Sequence, residues 1–161
     1  MDAPACAYIS ITEPVDMRTL AELTLPIDTE TDTHALEWLD AACRQAGWPE
    51  RTQFKLRLCL DETVTNVLLY GYSDPPSDGA EPCLRLCLAQ QGDEVFLIVM
   101  DNGVPFDPTA RQPRELDASL DDARIGGHGL RLMRHYLRDI RYERTDGWNR
   151  LTLVAGIDEA S

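Results

Sequence analysis

The run Leu60-Asp61-Glu62-Thr63-Val64-Thr65-Asn66-Val67-Leu68-Leu69-Tyr70-Gly71-Tyr72 decides how the rest of this 161-residue chain reads. From Arg51 to Leu69 apolar residues recur at helical spacing, with Leu56, Leu60, Val64, Val67 and Leu68 in one stripe. On a helical wheel Glu62 and Asn66 fall on the opposite side, beside Leu58, Cys59 and Leu69. Such a helix packs one face on a sheet and uses a second to line something else, which suits the wall of a ligand pocket. Residues at i and i+4 share a face, so the Glu62 carboxylate and the Asn66 amide reach one bound ligand. An amide oxygen suits Mg²⁺, which takes oxygen ligands and keeps several waters. A nearby carboxylate can accept the proton of a hydroxyl attacking a γ-phosphoryl group. Taken alone, the spacing equally describes a solvated helix face, and Asp61 competes for any carboxylate role.

Working outward from this helix, the pattern alternates between strand and helix periods. Residues 1–18 hold two prolines and no sustained period, and read as a loosely ordered start. Thr19 to Leu25 reads as a strand stopped by Pro26, and Ala35, Leu36, Leu39, Ala42, Cys43 and Ala46 as a helix ending at Gly47. Beyond Tyr72, Leu84, Leu86 and Leu88 alternate with polar or small residues, and Val95 to Met100 is an unbroken apolar run fit for a central strand. Gln91-Gly92-Asp93 joins these two as a hairpin. Residues 105–125 read as a long loop, Leu130 to Leu137 as a short helix, and Ile140–Tyr142 with Leu151–Leu153 as two strands turning at Asp146-Gly147. The sum is an α+β fold, a two-layer sandwich of a mixed, mostly antiparallel sheet with helices on one face, formed as a single domain over residues 19–161.

Two further segments carry chemistry. Asp101 follows the apolar run directly in Asp101-Asn102-Gly103-Val104-Pro105-Phe106-Asp107, so it stands where a strand ends and the sheet opens. Its carboxylate could accept a hydrogen bond from an exocyclic amine of adenine, with Gly103 letting the base approach the backbone. Asp-Asn-Gly is also a common turn signal. Gly126-Gly127-His128-Gly129-Leu130 precedes a helical pattern, and such a turn exposes backbone N–H groups and a helix N-terminus to phosphates. A hinge would look the same. No Gly-x-x-x-x-Gly-Lys-Ser/Thr loop or Rossmann fingerprint is present, and His34, His128 and His135 do not form a ligand set.

Composition narrows the classes. A chain of this length buries roughly two-thirds of its unfolded surface, and 43% hydrophobic with 27% charged residues is ordinary for a globular domain. The net charge of -13 argues against nucleic acid, whose phosphates are met by clustered Lys and Arg. No stretch approaches the roughly 20 apolar residues of a membrane span, and Met1-Asp2-Ala3 does not begin a signal peptide, so the expected location is the cytoplasm. Cys6, Cys43, Cys59, Cys83 and Cys87 contain no CxxC pair and read as free thiols.

Together the three segments resemble the GHKL ATPase superfamily, and most closely its small anti-sigma-factor serine/threonine kinases. The stretch from Glu62 to Asn66 with Tyr72 is similar to the family's N box, Asp101 to Asp107 to its G1 box, and Gly126 to Met133 to its G2 box. Asn149-Arg150-Leu151-Thr152-Leu153 fits the closing hairpin, and the likeness covers roughly residues 19–155. The resemblance implies a histidine-kinase-like ATPase fold with ATP and Mg²⁺ as cofactors. It makes Asn66 the Mg²⁺ ligand, Glu62 the general base and Asp101, with Gly103, the adenine site. Gly127, His128, Gly129, Leu130 and Thr152 would complete the nucleotide contacts, and residues 107–125 would form a lid. It further implies transfer of the γ-phosphoryl group to a serine of an anti-anti-sigma (STAS-type) partner, sequestration of a sigma factor or similar regulator, and a homodimer. The family often has His-Ala-Tyr where this chain has Tyr70-Gly71-Tyr72. A non-catalytic module of the same fold, using ATP to set partner affinity, is the alternative.

Overall fold

The computed structural model describes residues 17–76, 78–110 and 128–159. In chain order these form β1 (Arg18–Pro26), α1 (Thr31–Ala46), α2 (Glu50–Tyr70), β2 (Cys83–Gln91), β3 (Glu94–Asp101), a 3-10 turn (Pro108–Ala110), α3 (His128–Tyr136), β4 (Asp139–Thr145) and β5 (Trp148–Gly156). The five strands make one sheet in the order β1-β2-β3-β5-β4. All four pairings are antiparallel, so the described sheet is antiparallel throughout rather than mixed.

Strand alternation sends Leu84, Leu86 and Leu88 of β2, Val95, Leu97 and Val99 of β3, and Leu151, Leu153 and Ala155 of β5 to one face. There they pack with Leu39 of α1, Leu56, Leu60 and Val64 of α2, and Leu130 and Met133 of α3 in a single core. The sandwich therefore has its helices on one face, as the periodicity implies. The sheet's other face holds Cys87, Ile98, Met100 and Trp148 in one buried cluster and Ala89, Phe96 and Val154 in another. With both faces out of water, β3 carries apolar side chains at successive positions, which is why it reads as an unbroken run.

Local chemistry sets the boundaries. α1 begins at Thr31, before the first apolar position of its periodic run; Thr31 Oγ1 accepts from the Asp28 N–H at 2.8 Å and donates to the Pro26 carbonyl at 2.8 Å. Its first turn is otherwise largely solvated, so apolar spacing is silent there. The helix stops at Gly47, whose φ of 74° only glycine adopts cheaply, with its N–H on the Arg44 carbonyl. The β4–β5 hairpin turns on Asp146 and Gly147, at φ 52° and 82°, the mirror-image turn that matches strand twist. Arg18 already lies in β1, one residue before the strand read from Thr19, and residues 1–16 lie outside the described residues. After β5, Asp158 meets the Lys55 ammonium at 2.8 Å and Thr52 Oγ1 at 2.9 Å, tying that end of the chain to α2.

One sequence expectation about α2 needs correction. Asn66 does not face away from the apolar stripe: it is 7% exposed and belongs to the buried arc with Cys59, Thr63 and Val67. Leu69, by contrast, is 56% exposed. The buried side of α2 includes the edge that looks into a recess over the sheet, so a polar residue there counts as solvent-facing on a wheel although it is out of water.

Candidate active site: a recess between helix α2 and the sheet

The recess opens to solvent and has a cavity volume of about 30 Å³. Thr63, Asn66 and Val67 of α2 form one wall, Val99 and Asp101 of β3 with Asn149 and Leu151 of β5 form the floor, and Phe106, Pro108, Met133 and Tyr142 complete the lining. Thr63 Oγ1 donates to the Cys59 carbonyl at 2.8 Å, a helix back-bond that leaves its methyl group to the interior.

Asn66 brings a buried polar atom whose Oδ1 finds no hydrogen-bond partner among the described residues. A buried acceptor left alone costs about 1–3 kcal/mol, so an amide held this way points to a ligand that completes it. An oxygen of this kind fits a hard divalent cation whose remaining ligands come from water and phosphate.

Asp101 closes the recess at the end of β3 and is 6% exposed. Its Oδ1 accepts from the Gly103 N–H at 3.0 Å and from Asn149 Nδ2 at 2.9 Å. Burial raises its pKa above the ordinary carboxylate value, against the bonds from Asn149 and Gly103 and the charge of Arg144. A buried carboxylate so held can accept from an amine-bearing base and is poorly matched to water.

Asn149 is the residue sequence reasoning missed. It sits opposite Asp101 in the β3–β5 register and is 4% exposed. Besides Asp101, its Nδ2 reaches the Val104 carbonyl at 2.8 Å, while its Oδ1 accepts from the Phe106 N–H at 3.3 Å and from the Tyr142 hydroxyl. One side chain thus orients the Asp101 carboxylate and the segment that follows it. Only the strand register brings the two together, and no local motif signals it.

The segment after Asp101 is clamped from several sides. Val104 N–H donates to the Gly71 carbonyl at 2.7 Å, and Arg144 Nη1 donates to the Gly103 carbonyl at 2.7 Å. Asn102 Oδ1 accepts from the Tyr72 hydroxyl at 2.7 Å and the Cys83 N–H at 2.9 Å, and its Nδ2 donates to the Glu81 carbonyl at 2.8 Å. A Cβ on Gly103 would fall well inside van der Waals contact with the Gly71 carbonyl oxygen. The glycine is therefore required where two backbone segments cross, a reason different from the approach of a base expected from sequence.

The remaining candidates are placed as follows. Glu62 lies one turn before Asn66 on α2, half-buried, and does not line the recess. His128 and Gly129 open α3, whereas Gly127 lies outside the described residues, as do residues 111–125 of the expected lid. Leu130 is 5% exposed and sits in the core, so its side chain contributes packing. Thr152 pairs with Ile98 on the sheet face away from the helices and is not part of the recess; Asn149 and Leu151 face inward instead. Cys43 and Cys59 are buried free thiols, and burial pushes both up to about 12. Among the described residues no helix is long and apolar enough to cross a membrane.

Fold and recess together define a class. Residues 25–155 match the histidine kinase-like ATPase domain, and the chain belongs to that family. It is 41% identical over 133 residues to the serine/threonine-protein kinase BtrW of Bordetella bronchiseptica, covering 83% of this chain and 91% of that protein. Among solved structures, a chain of the SiaB–SiaC complex from Pseudomonas aeruginosa shares the fold at a TM-score of 0.54 and 15% identity, over 87% of this chain and 91% of its own. The blue-light activated histidine kinase EL346 of Erythrobacter litoralis aligns at a TM-score of 0.49 and 18% identity, over 68% of this chain and 32% of its own.

Proposed function

We propose that this protein is an ATP-dependent protein serine/threonine kinase that regulates a protein partner. The observation that carries the reading is the pairing, in one recess, of an Asn66 oxygen that has no hydrogen-bond partner among the described residues and a buried, oriented Asp101 carboxylate. Identity to a serine/threonine-protein kinase over most of both chains supports it.

In this reading Asp101 accepts a hydrogen bond from the adenine amine, and Asn149 fixes the direction of that carboxylate. The Asn66 amide oxygen would hold Mg²⁺, together with phosphate oxygens and water. When bound, the ion supplies charge neutralisation at the phosphates. His128 and Gly129 open α3, with Gly127 just before them in sequence, and the helix's N-terminal N–H groups would meet phosphate oxygens. Glu62 accepts the proton of the attacking serine hydroxyl, and the γ-phosphoryl group passes from ATP to that oxygen, leaving ADP. The partner of this reading is a STAS-type anti-anti-sigma protein carrying the serine. A sigma factor or similar regulator is held by the same kinase, which acts as a homodimer in the cytoplasm.

One observation favours a second reading. Glu62 stands beside the recess rather than in its lining, and a module that binds ATP only to set partner affinity needs no base. Incubation with ATP and a STAS-type partner, followed by mass spectrometry of the partner, separates the two. Phosphoserine on the partner is the expected result; tight ATP binding without any phosphoprotein would replace the kinase with the binding module.

A further inference from the structure

We propose that residues 1–16 cover the second face of the sheet, an acidic and apolar segment docked on a basic and apolar surface. That face is out of water, with Phe96 4% and Trp148 7% exposed and Cys87, Ile98 and Met100 buried beside them. Among the described residues no layer lies over it. α1, α2 and α3 all contribute to the core on the opposite face, and the two clusters here hold only strand residues and Met17. Large side chains on a sheet lose their contact with water only under a second layer.

Position selects that layer. Met17 packs against Ala89, Phe96 and Val154, so the chain enters β1 from this side of the sheet. Sixteen residues reach about 50 Å when extended, against about 20 Å across five strands. Residues 111–127 are flanked on the helix side at both ends. Pro108, just before them, lines the recess, and α3, which follows them, places Leu130 and Met133 in the helix-side core.

Charge agrees with position. Arg85, Met100 and Arg150 stand side by side in the register of β2, β3 and β5, so an arginine lies on either side of Met100 on this face. Arg150 is largely buried, its Nη1 is 4.0 Å from Glu143 Oε2, and its buried Nε has no hydrogen-bond partner among the described residues. A cation out of water with one long ion pair calls for a further carboxylate. Residues 1–16 carry Asp2, Glu13 and Asp16 with no Lys or Arg, and Tyr8, Ile9, Ile11 and Val15 supply apolar surface. The covered face backs the floor of the recess, because Met100 and Trp148 adjoin Asp101 and Asn149 in β3 and β5.

The test is alkylation of Cys87 by N-ethylmaleimide in the folded full chain, read by mass spectrometry, for the parent and the double variant Ile9→Asp, Ile11→Asp. Cys59, in the helix-side core, reports that the fold is intact. In the parent Cys87 resists alkylation at every protein concentration, since its cover belongs to the same chain. Two carboxylates placed in an apolar contact weaken it, and Cys87 reacts about 10-fold faster or more while Cys59 stays protected. A second double variant, Glu13→Lys, Asp16→Lys, attacks the contact through charge and gives the same selective exposure. Unchanged protection of Cys87 in both variants overturns the inference, and so does a parent whose Cys87 reacts like a thiol of the denatured chain. Protection that builds only as protein concentration rises overturns it too, because the cover is then a second copy.

Discussion

Replacing Asp101 by Asn should separate stability from ligand binding. The substitution keeps the shape of the side chain and an oxygen that can accept from the Gly103 N–H and Asn149 Nδ2, which lie 3.0 and 2.9 Å from Oδ1. What changes is charge. Burial raises the pKa of Asp101 in the folded protein above its unfolded value, so the folded state favours the protonated form. The stability this group contributes is present below the unfolded carboxylate pKa and is lost as pH rises through the folded value. At neutral pH the ionised carboxylate is therefore a burden that a neutral amide removes, and the ligand-free Asp101→Asn protein should melt at the parental temperature or above. Each kcal/mol of relief would appear as about 2–4 °C for a chain of this size. ATP binding should move the other way. Losing a charge-assisted acceptor for the adenine amine costs about 1.5–3 kcal/mol, or about 10- to 150-fold in Kd. Melting curves at pH 7 and pH 4 with calorimetric ATP titrations measure both effects, and the stability advantage should shrink at the lower pH. A variant that melts several degrees lower at pH 7 would refute the burial argument, and one that binds ATP like the parent would refute the role of Asp101.

Three further predictions follow from the same geometry. Glu62→Ala should keep ATP affinity while losing phosphoryl transfer to the partner, measured as phosphoserine; equal transfer in variant and parent would remove Glu62 as the base. Gly103→Ala forces a methyl group into the Gly71 carbonyl oxygen and should cost about 1–3 kcal/mol in chemical denaturation, with the Asp101 segment displaced. Asn149→Ala strips Asp101, Val104, Phe106 and Tyr142 of a shared partner, so it should both destabilise the fold, by about 1–3 kcal/mol for each group left unsatisfied, and weaken ATP binding.

Much of this architecture was legible because apolar spacing reports burial. The unbroken run of Val95 to Met100 marks a strand covered on both faces, and the Asp146-Gly147 pair marks the β4–β5 hairpin directly. Asp101 was legible as a strand-end carboxylate because the run stops at it. The face of Asn66 was misread for a physical reason: a wheel sorts residues by polarity, and a polar residue lining a recess is buried like its apolar neighbours. Thr152 was placed by likeness alone, whereas strand alternation relative to Leu151 and Leu153 sends it to the other sheet face. Asn149 and the crossing of Gly71 with Gly103 depend on contacts between segments far apart in sequence, which no local period encodes.

Whether Asn66 serves a cation-bound nucleotide is decided by titrating ATP with and without Mg²⁺ into the parent and Asn66→Ala. Because the Asn66 oxygen has no hydrogen-bond partner among the described residues, the variant should fold and melt much like the parent, so any loss of binding reports the site itself. Mg²⁺ should strengthen ATP binding in the parent and no longer strengthen it in Asn66→Ala. The same Mg²⁺ dependence in both proteins, or no ATP binding by the parent, would contradict it.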